Sequence, residues 1–445
     1  MTTPICDFVR RYAEQKPLRL HMPGHKGLPL LGMEALDLTE VEGADSLYEA
    51  QGIIRESEEN ATRLFGARTF YSTEGSSQCI RAMLYLALQY AKRHGKNLTV
   101  AAGRNAHKTF LSAVALLDLD VTWLTGAESE TYLSCFPDTK ELEHLLENDA
   151  TRPFAVYLTS PDYLGNLLDI RAIAKLCHRY GVLLLVDNAH GAYLRFLPQS
   201  LHPIDLGADL CCDSAHKTLP ALTGAAYLHI SHALEKDCTM QAKNALALFG
   251  STSPSYLILQ SLDAVNRYLA EGYADRLAVF ANAVQATRER LTAHGYRLFG
   301  NEPLKLTLET KPYGYTGTEL AALLQKDGIV CEFADADFLV LMLTPEIGEN
   351  GLCRLTDALS AIPKLRPIEQ RPPKSHLPAR ILSVRSATLS DCETLPIDQC
   401  LGRVLAAATV SCPPAVPIVV SGEQIDEQAI DAFHYYGITH CTVVR

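Results

Sequence analysis

Residues 182–191 read Val182-Leu-Leu-Leu-Val-Asp-Asn-Ala-His-Gly191, and residues 206–217 read Leu206-Gly-Ala-Asp-Leu-Cys-Cys-Asp-Ser-Ala-His-Lys217. An apolar run that ends directly on a carboxylate has the pattern of a strand buried on both faces, as parallel sheets in α/β folds require. Asp187 should then emerge at the carboxyl end of that strand, where open α/β sheets bind ligands. Working outward, 98–102, 154–159 and 225–229 have the same strand character. Residues 169–180 carry Ile170, Ile173, Ala174 and Cys177 on one helical face, and Gly181 ends that helix. The alternation over 53–230 predicts βαβ units and a mainly parallel sheet.

Beyond this region, 261–294 reads as long helical sequence, followed by a strand at 304–308, a helix at 318–326 and a strand at 338–343. These make a second α/β unit. Pro363, Pro367, Pro372, Pro373 and Pro378 interrupt any regular element and predict a linker, with a small third unit from 379 to 445. The expected organisation is an N-terminal arm (1–45), a large domain (46–260), a small α/β domain (261–365), and a linker with a C-terminal domain (366–445).

The chain has 445 residues, 47% of them hydrophobic and 20% charged, enough to bury an extensive core. A formal charge of −11 argues against nucleic acid or an anionic membrane as partner. The N-terminus has neither the basic start nor the apolar core of a signal peptide, and no apolar run reaches the length of a membrane span. Thirteen cysteines without a Cys-x-x-Cys point to free thiols in a reducing, cytoplasmic setting. His21-Met-Pro-Gly-His25 has a four-residue spacing, but Pro23 and Gly24 break the helix face that a metal pair would need, so no metal site is expected.

Three further features bear on chemistry. Asp187 is either a helix cap or a carboxylate that keeps a heteroaromatic nitrogen protonated. Lys217, beside His216, is either a solvated lysine or an amine nucleophile. Thr73-Glu-Gly-Ser-Ser77 precedes a helical pattern over 78–93. It is either a simple cap or a phosphate cradle of backbone N–H groups and hydroxyls at the positive end of a helix.

The order of these features is similar to that of pyridoxal-phosphate enzymes of the aspartate aminotransferase fold. Longer segments are more specific. Leu20-His-Met-Pro-Gly-His-Lys-Gly27, Gly103-Arg-Asn-Ala-His-Lys108, Val186-Asp-Asn-Ala-His-Gly191 and Ser251-Thr-Ser-Pro-Ser-Tyr256 resemble the bacterial ornithine/lysine/arginine decarboxylase family. So do Glu393-Thr-Leu-Pro-Ile-Asp-Gln-Cys-Leu-Gly402, Pro413-Pro-Ala-Val-Pro417 and Gly422-Glu423, which resemble its C-terminal domain. The chain starts almost at the His-Met-Pro-Gly-His-Lys motif, like the short subgroup without a wing domain.

The resemblance implies a pyridoxal 5′-phosphate enzyme that decarboxylates arginine, lysine or ornithine, a lyase of polyamine metabolism, working as a homodimer with shared active sites. It implies Lys217 as the Schiff-base lysine, Asp187 as partner of the pyridine nitrogen and His107 stacked on the ring. Gly75, Ser76, Ser77, Ser214 and His216 match the phosphate positions, and His190 falls near the ring's other face or edge. Thr252 and Ser253 match a segment that reaches the neighbouring subunit's cofactor. Lys217 or His216 would return a proton to the substrate carbon, and Glu423 is a candidate partner for the substrate's distal cation. Two departures stand out: Glu74 occupies a position where Asn is expected, and Ser383-Val-Arg-Ser-Ala-Thr-Leu-Ser390 lacks the family's aromatic residues. The other readings are an aminotransferase or aldolase of the same fold, and a catalytically inactive paralogue that binds the cofactor for regulation.

Overall fold

The computed structural model describes residues 1–126, 131–408 and 414–445. Pro413, the first residue of the Pro-Pro-Ala-Val-Pro motif, lies outside the described residues. Two compact units account for the chain. The first comprises Met1–Lys96, Ile170–His178 and Leu183–Leu277; the second comprises Asn97–Asp169, Arg179–Val182 and Ala278–Arg445.

Seven strands follow one another as β1 (Arg68–Ser72), β2 (Thr99–Gly103), β3 (Asp120–Leu124), β4 (Ala155–Thr159), β5 (Leu183–Asp187), β6 (Leu210–Asp213) and β7 (Ala226–Ile230). In the first unit their order is β1-β7-β6-β5, with β5 and β6 parallel and β7 antiparallel to both β6 and β1. In the second the order is β4-β2-β3, all parallel. Every residue of β5 is buried, as its unbroken apolar run predicts.

The helix Gly75–Arg93 follows β1 and buries Cys79, Ile80, Met83, Leu84 and Leu86 among others. Its entry depends on two glycines. Gly75 has φ +69°, and its N–H donates to the Gly224 carbonyl at 2.8 Å. A Cβ on Gly224 would lie 2.9 Å from the Thr73 carbonyl oxygen, so a side chain there would push the two turns apart.

The helical sequence expected over 261–294 is instead two helices, Tyr256–Ala270 and Tyr273–His294, separated at Gly272 with φ +74°. In the second unit a four-stranded antiparallel sheet is ordered β10 (Phe333–Ala334), β11 (Phe338–Met342), β9 (Lys305–Glu309), β8 (Arg297–Phe299). Residues 363–379 form no helix or strand, as the prolines predict. Beyond them a three-stranded sheet, β12 (Cys392–Pro396), β14 (His440–Val444) and β13 (Leu405–Ala407), packs Leu405, Cys441 and Val443 with Ile397, Val419 and Phe433.

Asp335, just before β11, is poorly solvated. Burial and the neighbouring Asp337 push its carboxyl up to about 6, against main-chain N–H donors at Phe338 and Asp337. A carboxyl whose folded value exceeds its unfolded one disfavours folding once ionised. That cost is full above pH 6 and fades as pH falls toward the unfolded value. Asp335→Asn should therefore raise stability at pH 8 by about 1–2 kcal/mol and leave it unchanged near pH 4, as read by urea unfolding at the two pH values.

Candidate active site

Strands β5 and β6 leave the sheet at the same edge because they are parallel, with Asp187 opposite Cys212. Asp187 is buried, and its Oδ1 accepts from the Ala189 N–H at 3.1 Å and the Cys212 thiol at 3.7 Å. Burial, reinforced by Asp187, holds that thiol protonated. From β6 the chain passes through Ser214 into one helical turn, Ala215–Thr218, which carries His216 and Lys217. Lys217 Nζ lies 3.0 Å from Nε2 of His190, three residues beyond Asp187. An ammonium only donates, so the His190 nitrogen is the acceptor when Lys217 is charged.

His216 Nδ1 is 2.8 Å from the Ala225 carbonyl, which can only accept, so this nitrogen carries the proton. Burial lowers the imidazole's pKa and Lys217 adds to the effect, with the Ala225 carbonyl opposing. The imidazole Cε1 lies 3.9 Å from where a Cβ on Gly75 would be, so the turn at the start of helix Gly75–Arg93 abuts His216. Ser76 and Ser77 occupy that helix's first turn, and the fully buried Ser214 hydroxyl has no hydrogen-bond partner among the described residues. A 19-residue helix with hydroxyls at its positive end, an orphaned buried hydroxyl and a neighbouring imidazole form a donor set suited to a phosphate dianion.

Glu74 does not spoil this cradle, because its carboxylate accepts from the Ser251 N–H. That contact ties the turn to the loop bearing Thr252 and Ser253, which are exposed.

Sequence reasoning passed over a polar network behind the same strand ends. Asp213, Asn188, His202 and His229 are fully buried. Asp213 Oδ2 lies 3.1 Å from Nε2 of both His202 and His229, and its Oδ1 accepts from Asn188 Nδ2 at 2.7 Å. Together the imidazoles hold the Asp213 carboxyl well below the usual range against the opposing effect of burial. The available signal was a carboxylate and a histidine inside otherwise apolar strands, where an unpaired polar group is costly.

His107 lies in the second unit as N-cap of the helix Lys108–Leu117, its Nδ1 accepting from the Thr109 N–H at 3.1 Å. In the same unit Glu423 departs from expectation. Its Oε2 accepts from Arg104 Nη2 and from the Val420 N–H, each at 2.8 Å, and both members of the ion pair are buried. Arg104 also donates to the Ile418 carbonyl at 2.9 Å. With its charge met by a buried guanidinium, Glu423 fastens the 418–423 segment to the end of β2, and its assignment to the substrate's cation is withdrawn.

His21 Nε2 pairs with the Tyr12 hydroxyl at 2.5 Å and His25 Nε2 with Asp37 at 3.2 Å. The twelve cysteines among the described residues are free. No helix among the described residues is long and apolar enough to cross a membrane.

Residues 3–300 match the Orn/Lys/Arg decarboxylase major domain, and residues 377–441 match the Orn/Lys/Arg decarboxylase C-terminal domain. The chain is 28% identical to an arginine decarboxylase of Bacillus subtilis (strain 168), across 96% of this chain and 92% of the relative. It is also 28% identical to an arginine decarboxylase of Halalkalibacterium halodurans, across 96% and 91%. In fold it is similar to a Francisella novicida lysine decarboxylase, with TM-score 0.80 and 15% identity over 100% of this chain and 81% of that one. An alanine–glyoxylate aminotransferase from Nostoc sp. is similar at TM-score 0.55 and 18% identity, over 69% and 85%. The α/β fold with a mainly parallel sheet expected from the sequence is thus the one these structures share.

Proposed function

This chain belongs to the Orn/Lys/Arg decarboxylase family, and from that premise we propose that it removes the α-carboxylate of a basic amino acid, with arginine the first substrate to test. The observation that carries the proposal is the convergence of Asp187 and the Ser214–Lys217 turn at adjacent carboxyl ends of β5 and β6, with Lys217 3.0 Å from His190. Arginine takes precedence because near-full-length relatives are named arginine decarboxylases.

The family's cofactor is pyridoxal 5′-phosphate, and the residues present suit it. Gly75, Ser76, Ser77, Ser214 and His216 would hold its phosphate, Asp187 its pyridine nitrogen and Lys217 its carbonyl carbon. His190 would lie at the ring's face or edge. On motif grounds alone, His107 would stack on the ring, while Thr252 and Ser253 would serve the neighbouring subunit. When bound, the cofactor supplies the electron sink for the pair left behind as CO₂ departs.

The protein's own work is positioning and proton transfer. A buried carboxylate at Asp187 would favour a proton on a nitrogen facing it. His190 receives a hydrogen bond from Lys217 and so fixes where the amine lies. His216 has its Nδ1 proton committed to Ala225. Lys217 is therefore the residue that returns a proton to the substrate carbon. In deuterated solvent the amine product should carry one solvent deuterium on that carbon; a keto acid product would overturn the reading in favour of amino transfer.

The working unit is a homodimer. Leu18, Leu20, Leu30 and Leu31 on the N-terminal arm are 76–85% exposed in a single chain. An exposed apolar stretch of this kind marks a protein interface. Exposure of Thr252 and Ser253 fits a segment that serves a second copy. Light scattering should give a dimer, and the double substitution Leu30→Lys/Leu31→Lys should shift it to monomer and cut activity; a monomeric wild type would refute the assignment. The free thiols fit a reducing, cytoplasmic setting.

A further inference from the structure

Asp213 takes no part in the chemistry above, although it directly precedes Ser214 and stands four residues before Lys217. Both of its oxygens are engaged, Oδ2 by His202 and His229 and Oδ1 by Asn188. Phe65 packs against both imidazoles, with ring centroids 5.9 and 4.7 Å away. The other nitrogen of His229 is 2.9 Å from the Thr69 hydroxyl. A carboxylate removed this completely from water persists only when its hydrogen-bonding capacity is met, and the partners here hold it in one orientation.

Asn188 directly follows Asp187. A Cβ on Gly191 would lie 2.0 Å from Asn188 Oδ1, so the 187–191 turn folds closely around that side chain. The Asn188 N–H also donates to the Cys212 carbonyl at 3.0 Å. Asp213 thus reaches both halves of the site, the turn carrying Asp187 and His190 by its side chain and the turn carrying Ser214, His216 and Lys217 by its main chain.

We propose that Asp213 is a positioning residue: clamped between His202 and His229, it holds the 187–191 turn through Asn188 and so fixes Asp187 and His190 relative to Lys217. The proposal rests on the reading that Lys217 holds the cofactor. Donor atoms of His202, Cys211 and Asp213 lie within 4.8 Å of one another, a set that a transition metal could also use. The clamp assigns these contacts to hydrogen bonds and requires no ion.

The test uses the full-length protein. NMR of cofactor-free wild type labelled with ¹⁵N-histidine should show two exchange-protected imidazole N–H signals, and Asp213→Asn should lose or shift both. Asn188→Ala removes the other end of the grip and leaves the contacts of Asp213 Oδ2 with His202 and His229 in place. It should keep both signals and melt cooperatively a few degrees below wild type, as expected for one lost buried hydrogen bond, while kcat falls about tenfold to hundredfold, the scale expected of a small misplacement. KM should change by less than about twofold, as for an interaction needed only in the transition state. Affinity for pyridoxal phosphate, titrated by its visible absorbance, should weaken in both variants, and the double variant should be no worse than Asp213→Asn.

One equivalent of zinc or another transition metal in the purified protein would overturn the clamp, as would wild-type kcat and cofactor affinity in Asn188→Ala. A wild type that forms no visible band with pyridoxal phosphate overturns the parent reading and this proposal with it. A wild type that forms the band while Asn188→Ala behaves normally overturns the proposal alone.

Discussion

Lys217→Ala is expected to fold normally, to form no visible absorbance band with pyridoxal phosphate, and to lose at least about 10⁴-fold in kcat, as when the group at the centre of a catalytic unit is removed. Truncation should spare the local structure, because main-chain bonds make the turn. The Lys217 N–H donates to the Ser214 carbonyl at 3.0 Å, and the Leu219 N–H to the Ala215 carbonyl at 2.8 Å. What is lost is the amine itself, together with its contact to His190. Lys217→Arg separates charge from nucleophilicity, since a guanidinium keeps the positive charge but stays protonated. It should be as inactive as the alanine variant. A Lys217→Ala protein that retains the band would exclude this lysine as the attachment point.

Asp187→Asn should lower kcat by about 10²–10³-fold, the scale of removing one preorganised electrostatic partner in a water-excluded site. The amide oxygen can still accept from the Ala189 N–H and the Cys212 thiol, so packing is retained. The negative charge that would keep the cofactor nitrogen protonated is lost. The variant should therefore bind cofactor with an altered spectrum and turn over slowly. A kcat within about threefold of wild type would place the electrostatic support elsewhere.

How much of this was legible in the sequence follows from what each pattern encodes. Apolar runs locate buried strands well. The expected 98–102, 182–186 and 225–229 became Thr99–Gly103, Leu183–Asp187 and Ala226–Ile230, each displaced by one residue, within the usual uncertainty of strand ends. The antiparallel strand Arg68–Ser72 was not singled out because three of its five residues are polar. They are accommodated because β7 supplies main-chain partners and His229 meets the Thr69 hydroxyl.

At the site, Asp187, Lys217 and the Gly75–Ser77 turn were legible because each stands at the end of an element, where sequence pattern marks a boundary. Their mutual geometry was not. That His190 meets Lys217 and that Glu74 turns onto Ser251 depend on how loops distant in sequence pack. The same holds for Glu423, whose motif resemblance gave no sign of Arg104, 319 residues earlier. The Asp213 network was hidden for a related reason, since its partners come from a loop and three strand or turn segments that only folding brings together.

Decarboxylation of a basic amino acid is the central step. Its most direct test is a panel of arginine, lysine and ornithine, each labelled in the α-carboxylate, incubated with purified protein and pyridoxal phosphate and scored for labelled CO₂ and amine. Stoichiometric CO₂ and the matching amine are expected from at least one of the three, arginine foremost, and none from Lys217→Ala. Amino transfer to a keto acid without CO₂, or no turnover of any of the three by cofactor-loaded protein, would contradict it.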